Sequence, residues 1–400
     1  MVDMHIGASG FIGAAMAVQG IRDATVVLHG QNGCRKGLLA SQDLLVRTEG
    51  RDGRFYGKDR AIPYSNIRPE DYYGGTIGKL EAVMDHVASE EYALKVIMCS
   101  PGISLVGDDC RNVAPSDEGT MVLDTDALPP DCPGGFDSCI CSIVDRLSPQ
   151  KGERIPNGVN IIGLSIMHKD WASYCHELSH LLKDAGFRIV CVLGAGCSVG
   201  EIRDSVNASY NIVVDPLYSD RTAAMYEERY GIPPISIGEC PVGYDATESL
   251  FRKVHEVTGV LPEHGMGMLR KSKRRAYEGI VASGKEMRGR TFAIIAEEST
   301  RRPLKAWLED SFGMVECDDR PDYLFAPGNI ALLEQASGGC GKGVDIGFPS
   351  NAGSDFLKKP LMGLEGCMYI LDAMFNRRDG RTPPRGASSP GCGPCGCPCR

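Results

Sequence analysis

Short β-branched and apolar runs alternate with amphipathic stretches along most of this chain. Residues 24–35 and 94–110, ATVVLHGQNGCR and LKVIMCSPGISLVGDDC, each open on a short β-branched and apolar run of the kind that forms strands buried in a parallel sheet. Between them, residues 47–75 form a polar, turn-rich loop, and residues 78–88 then set Leu80, Val83, Met84 and Val87 at helical spacing. Further along, strands are predicted at 159–166, 188–193, 211–214, 235–237, 291–296 and 323–326. Helices are predicted at 171–185, 220–230, 269–288, 303–312 and 368–376. This alternation predicts an α/β fold of parallel sheets with helices on both faces.

The two leading runs each end in a glycine-containing turn carrying one cysteine, Cys34 in GQNGC and Cys99 in CSPG. Loops at the carboxyl ends of parallel strands are where ligands bind in open α/β sheets, so two thiols from different loops can converge on one site. Two thiolates do not enclose an iron–sulfur cluster, which takes four. The arrangement therefore calls for a second chain and a cluster shared between two subunits.

Length suggests two or three α/β domains. A net charge of -9 argues against nucleic acid or an anionic membrane as partner. No apolar run is long enough to span a bilayer, and the opening MVDMHIGASG lacks the basic and apolar regions of an export signal. With 17 cysteines and no such signal, the expected setting is the reducing cytoplasm, with thiols free or bound to metal. Gly7, Gly10 and Gly13 match the glycine spacing of a dinucleotide-binding turn, but only Met4, His5 and Ile6 precede them, too little for the strand that motif requires. Close approach to a neighbouring backbone or a cluster is the better account of these small residues.

Other residues carry candidate chemistry. His168, in MHKDW at the exit of a predicted strand, either donates a proton to a substrate or hydrogen-bonds the helix that starts at Trp171. Asp215 follows another buried strand and is a second proton donor, a metal ligand or a helix N-cap. His176 and His180 share a helix face and read as a surface pair rather than a zinc site. Cys132, Cys139 and Cys141 fall in what reads as a Pro/Gly loop, and Cys110 reads as buried. Residues 380–400 are rich in Gly and Pro and predict a disordered tail, in which Cys392, Cys395, Cys397 and Cys399 are close enough for one soft metal ion or cluster to take all four.

His29-Gly30-Gln31-Asn32-Gly33-Cys34, Tyr73-Gly74-Gly75, and Cys99-Ser100-Pro101 with Leu105-Val106-Gly107-Asp108-Asp109 resemble successive signatures of the nitrogenase component 1 family. Asn160 to Gly163, Glu201-Ile202-Arg203, Tyr226 to Pro233, Pro321 to Leu324, Gly347 to Pro349 and Pro360 to Gly366 continue the resemblance over about residues 1–379. It implies three Rossmann-like domains with parallel sheets around a central cleft. Residues 1–150 would carry the cluster cysteines, 151–262 the middle domain and 263–379 the C-terminal domain.

The resemblance also implies chemistry, and the departures limit it. The family's nitrogenases supply three cysteines per subunit to their interfacial cluster, whereas the first of the three would fall here at Ala8 or Ser9. That leaves Cys34 and Cys99, two ligands per chain, as in a 4Fe-4S cluster between two subunits of the tetrapyrrole-reducing members; Asp3 or a different partner chain is the alternative source of a ligand. The position of the cysteine that anchors the iron–molybdenum cofactor is occupied by Asp215, and its histidine ligand would fall at Gly347 or Phe348, so no FeMo-cofactor is expected. The function implied is the catalytic component of a two-component oxidoreductase. It would take electrons from an ATP-dependent iron–sulfur reductase and pass them to an unsaturated substrate, a tetrapyrrole or cofactor precursor. Homodimer and heterodimer both stay open. So do a scaffold for metallocluster or cofactor assembly and, more weakly, a nicotinamide or nucleotide-sugar enzyme.

Overall fold

The apolar run at the front of the chain becomes β1 (Ala24–His29), and all six of its residues are buried. It pairs in parallel with β2 (Leu94–Cys99), which sets His29 opposite Cys99, and β2 pairs in turn with β3 (Thr120–Leu123). The computed structural model describes residues 9–43, 62–103, 109–114, 119–348 and 357–376. Helix α1 (Gly10–Gln19) precedes β1; α2 (Asn32–Asp43), α3 (Asp71–Gly74) and α4 (Ile77–Ala88) lie between β1 and β2. The predicted stripe of α4 holds, with Leu80, Met84 and Val87 buried against Val27 and Ile97.

The N-terminal glycines do not form a nucleotide turn; they let α1 press against α5 (Cys132–Leu147). A Cβ on Gly13 would stand 2.0 Å from the Cys132 carbonyl oxygen, and one on Gly135 would stand 2.1 Å from that of Gly10. Helix α5 also corrects the loop expected at Cys132, Cys139 and Cys141. The Asp131 carboxylate accepts from Gly134 N at 2.7 Å, and Pro133 fits the first turn, where its missing N–H is no loss.

The middle sheet has the order β5-β4-β6-β7, all parallel: β4 (Gly158–Ile162), β5 (Arg188–Val192), β6 (Tyr210–Val213) and β7 (Pro234–Ile235). Its helices are α6 (Trp171–Asp184), α7 (Val199–Asp204) and α8 (Asp220–Tyr230). Helices α9 (Tyr244–Thr258) and α10 (Glu263–Ser283) lead to the third sheet. Helix α10 stops short of the expected residue 288 because Gly284 adopts φ +63 and closes it. The third sheet, order β11-β10-β8-β9, contains β8 (Thr291–Ile294), β9 (Val315–Glu316), β10 (Tyr323–Ala326) and β11 (Lys342–Asp345). Around it lie α11 (Glu298–Phe312), α12 (Gly328–Ser337) and α13 (Gly363–Phe375). Three parallel sheets thus stand where a Rossmann-like architecture requires them, joined by one contiguous buried cluster that draws side chains from all three.

Strand order decides where ligands can go. From β4 the chain moves outward to β5, then crosses to β6 on the opposite side of β4, so the connections diverge between β4 and β6. The same reversal separates β8 from β10. Such switch points leave a crevice beyond the carboxyl ends of the two strands. Among the described residues, no helix is long and apolar enough to cross a membrane.

Candidate functional site

Gly30 is where the two cysteine loops meet. The Ser100 amide donates to the His29 carbonyl at 2.9 Å, and a Cβ on Gly30 would stand 2.3 Å from Ser100 Oγ. His29 is fully buried, its ring nitrogens engaged by Ser65 Oγ at 3.0 Å and Thr76 Oγ1 at 3.1 Å. Glycine in the GQNGC turn therefore permits close contact between the carboxyl ends of β1 and β2. Cys34 then sits in the first turn of α2 and Cys99 is the last residue of β2, both half-buried.

A third thiol lies against one of them. Cys99 Sγ lies 3.2 Å from Cys110 Sγ, on a short turn whose start is capped by Asp109. Spacing gave no hint of this contact, because ten residues separate the two along the chain.

Among the described residues of one chain, no group of three or more His, Cys, Asp or Glu side chains is arranged to hold a metal ion. Cys34 and Cys99, both half-buried at the ends of adjacent strands, would supply half of a four-thiolate set. That donor set fits a cluster completed by a second chain. Cys132 and Cys139 are different: burial pushes the Cys132 thiol up to about 12, with the charges of Glu297 and Asp131 adding to it, and burial raises Cys139 as well. Neither becomes a thiolate readily. Asp3 and the tail residues Cys392, Cys395, Cys397 and Cys399 lie outside the described residues.

The second cluster of candidates lies at the switch point of the middle sheet. His168 leaves β4 and Asp215 leaves β6, and the His168 Nε2–Asp215 Oδ2 distance is 3.1 Å. Gly163 brings these loops together; at φ +79, a Cβ there would stand 2.2 Å from the Asp215 carbonyl oxygen. Asp215 is buried, and its Oδ1 accepts from Leu217 N at 3.0 Å, so it caps the following turn as well. His168 Nδ1 accepts from Ser165 N at 2.9 Å, which puts the neutral ring's proton on Nε2, pointing at Asp215. The ring also lies 4.8 Å from that of Tyr218.

The rest of the site is tertiary. Glu297 stands after β8, at the switch point of the third sheet, and is open to solvent on one side. Partial burial, then the charges of Asp215 and Asp131, push its carboxyl up, while His168 opposes the shift. Cys240, raised by burial and then by Asp215, accepts from Thr300 Oγ1 at 3.6 Å. Asp131 before α5 and the His168–Asp215 pair beyond the middle sheet thus lie close enough to Glu297 for their charges to act on it. Lys169 and Asp170, next to His168, tie this loop to later parts of the chain: Lys169 Nζ meets Asp345 Oδ2 at 2.8 Å, and Asp170 Oδ2 accepts from Lys359 N at 2.8 Å. Asp170 takes φ +42 to do so while capping α6. His176 and His180 are exposed on α6, with rings 6.4 Å apart and His180 paired with Asp184.

Residues 9–315 match the family model of nitrogenase component 1 type oxidoreductases. The chain belongs to that family. It is 34% identical over 114 residues to one of the polypeptides of the light-independent protochlorophyllide reductase of Trichormus variabilis, a match covering 27% of this chain and 22% of that protein. It is 22% identical over 264 residues to the nitrogenase iron-molybdenum cofactor biosynthesis protein NifE of Clostridium pasteurianum, covering 62% of this chain and 53% of that one. With the nitrogenase molybdenum-iron protein alpha chain of Methanosarcina barkeri it shares 24% identity over 293 residues, covering 69% and 52% respectively. In each case the match spans little more than half of the relative, or less. The solved structure of nitrogenase Cp1 at pH 5 superposes with a TM-score of 0.64 at 16% identity, covering 82% of this chain and 66% of that one. The nitrogenase component 1 fold expected from the sequence is therefore the fold of this oxidoreductase-family chain.

Proposed function

We propose that this chain is the substrate-reducing component of a two-component oxidoreductase. An ATP-dependent iron–sulfur reductase would be its electron source, and Cys34 and Cys99 of two chains would hold a 4Fe-4S cluster between them. When bound, the cluster supplies one-electron transfer to an unsaturated substrate in the cleft. The observation that supports the reading is the His168–Asp215 pair at the carboxyl end of the middle sheet, with Glu297 beyond β8 close enough for the charges of Asp215, His168 and Asp131 to act on it.

The hydrogen bonds define what each side chain contributes. His168 presents Nε2 to Asp215 Oδ2 at 3.1 Å, while the Ser165 amide donates to its Nδ1. It orients Asp215, whose buried carboxylate is held between His168 and the Leu217 amide. Glu297 retains its proton more tightly than an ordinary glutamate and, being open to the cleft, delivers it to the reduced substrate. A tetrapyrrole, whose conjugated double bonds take up protons when they are reduced, suits such a donor. The similarity to a protochlorophyllide reductase polypeptide supports that class.

The longer match to NifE supports a second reading, a scaffold on which a metallocluster or cofactor is assembled and handed on. A catalyst turns over repeatedly with reductase, ATP and a strong reductant, whereas a scaffold loads once and transfers. The cluster itself is tested by anaerobic purification, iron and sulfide counting, and electron paramagnetic resonance of the reduced protein. Cys34→Ala and Cys99→Ala each remove a ligand from both halves of a symmetric site, so each should abolish the signal. Iron-poor wild-type protein, or full iron retention in either variant, would refute the ligand assignment.

A further inference from the structure

The 3.2 Å contact between Cys99 Sγ and Cys110 Sγ places two sulfurs too close to be fellow ligands of one cluster. Thiolates on different irons of a cluster have those irons and the bridging sulfides between them and do not touch. A covalent S–S bond is about 2.05 Å long, so closing the gap takes about 1.2 Å of approach. Cys99 is fixed at its backbone, since its carbonyl accepts from Thr125 Oγ1 at 2.9 Å and its strand is paired on both sides. Cys110 sits on a turn of only three residues, Cys110–Asn112, and the movement falls there.

We propose that Cys99 and Cys110 form a reversible disulfide in the cluster-free chain, and that this bond withdraws Cys99 from iron. The oxidant is a low-molecular-weight disulfide of the glutathione type. The half-buried Cys99 thiolate attacks it, forms a mixed disulfide and releases one small thiolate; Cys110 then attacks Cys99 Sγ and releases the second. Two protein thiols become one disulfide, one small disulfide becomes two small thiols, and the two protein-thiol protons end on the released thiols. Access confers selectivity. Cys191 and Cys197 also hydrogen-bond to each other, but they are 2% and 1% exposed, and no external disulfide reaches either sulfur. That pair is the built-in control.

The pairing stands on the contact alone, while its effect on loading rests on the proposed ligand role of Cys99. The test uses the iron-free full-length chain, equilibrated anaerobically in glutathione buffers from reducing to oxidising, trapped by alkylation and mapped by peptide mass. At the oxidising end the expected product is a Cys99–Cys110 cross-linked peptide, lighter by two hydrogens, that disappears with dithiothreitol. In Cys110→Ser, Cys99 should instead carry glutathione, and Cys191 and Cys197 should stay reduced in both proteins. Iron supplied with sulfide should enter the reduced chain, and the oxidised chain only after dithiothreitol. Alkylation of Cys99 and Cys110 at every buffer ratio, or their linkage to other cysteines, overturns the pairing. Equal iron uptake by reduced and oxidised chains overturns its gating of Cys99. Failure of the reduced chain to take iron refutes the cluster reading separately, and leaves the cross-link to be judged on its own mass.

Discussion

Replacing Glu177 with glutamine perturbs one polar contact between the middle and C-terminal domains. The Glu177 carboxylate, on α6, accepts from Leu364 N at 2.7 Å and Glu365 N at 3.1 Å in the first turn of α13. Gly363 leaves room for it, since a Cβ there would stand 3.0 Å from Glu177 Oε1. Burial pushes this carboxyl up to about 7 from 4.5; the two backbone donors pull against the shift, and the Glu365 charge adds to it. The folded chain therefore holds more protons than the unfolded chain between those two values, and stability is lost as pH rises through that window. The loss amounts to about 3 kcal/mol once Glu177 is fully ionised, from about 1.4 kcal/mol per pKa unit. Glutamine is neutral throughout but has one acceptor oxygen for two amides, which costs about 1 kcal/mol. Glu177→Gln should thus be nearly neutral at about pH 5 and stabilising by about 2 kcal/mol at about pH 8.5. Urea unfolding followed by the fluorescence of Trp171 and Trp307, measured across that range, reads the difference. A stability change that does not vary with pH, or one that becomes less favourable as pH rises, refutes the reasoning.

Gly163→Ala should destabilise the protein by about 3 kcal/mol or more, because it combines a φ of +79 with a Cβ 2.2 Å from the Asp215 carbonyl oxygen; denaturant midpoints check it. If Glu297 is the proton donor and His168 an orienting group, Glu297→Gln should lower turnover about 10²–10⁴-fold with iron content unchanged. His168→Gln, which keeps an N–H aimed at Asp215, should stay within about tenfold of wild type, and the reverse ranking in steady-state rates counts against the assignment. Deleting residues 377–400 should lower the metal content per chain if Cys392, Cys395, Cys397 and Cys399 ligate, and unchanged content by elemental analysis removes the tail from the metal-binding set.

Much of the fold was legible because its strands are continuous apolar runs. The runs that open at Ala24 and Leu94 became β1 and β2, 323–326 became a strand with those bounds, and 220–230 became a helix with its bounds. Where local signals conflict, the reading failed: CPGG in α5 looks like a breaker, although Asp131 before Pro133 is a helix start once the glycines are known to face α1. In the site, His168 and Asp215 could be picked out because each follows a strand. Glu297, Cys240 and Tyr218 could not, since their importance lies in what faces them from other domains.

Periodicity, turn residues and motif order thus determined from the sequence alone that this is a parallel α/β chain with a cysteine at each of two neighbouring strand ends. Those are local properties, set by side-chain pattern and backbone preference within a few residues. Strand order, the crevices it opens between β4 and β6 and between β8 and β10, the proton's place on His168 Nε2 and the meeting of Cys99 with Cys110 were decided only by the tertiary structure. Each depends on groups far apart in the chain or joined by turns of undetermined geometry, and their distances exist only once the sheets have packed.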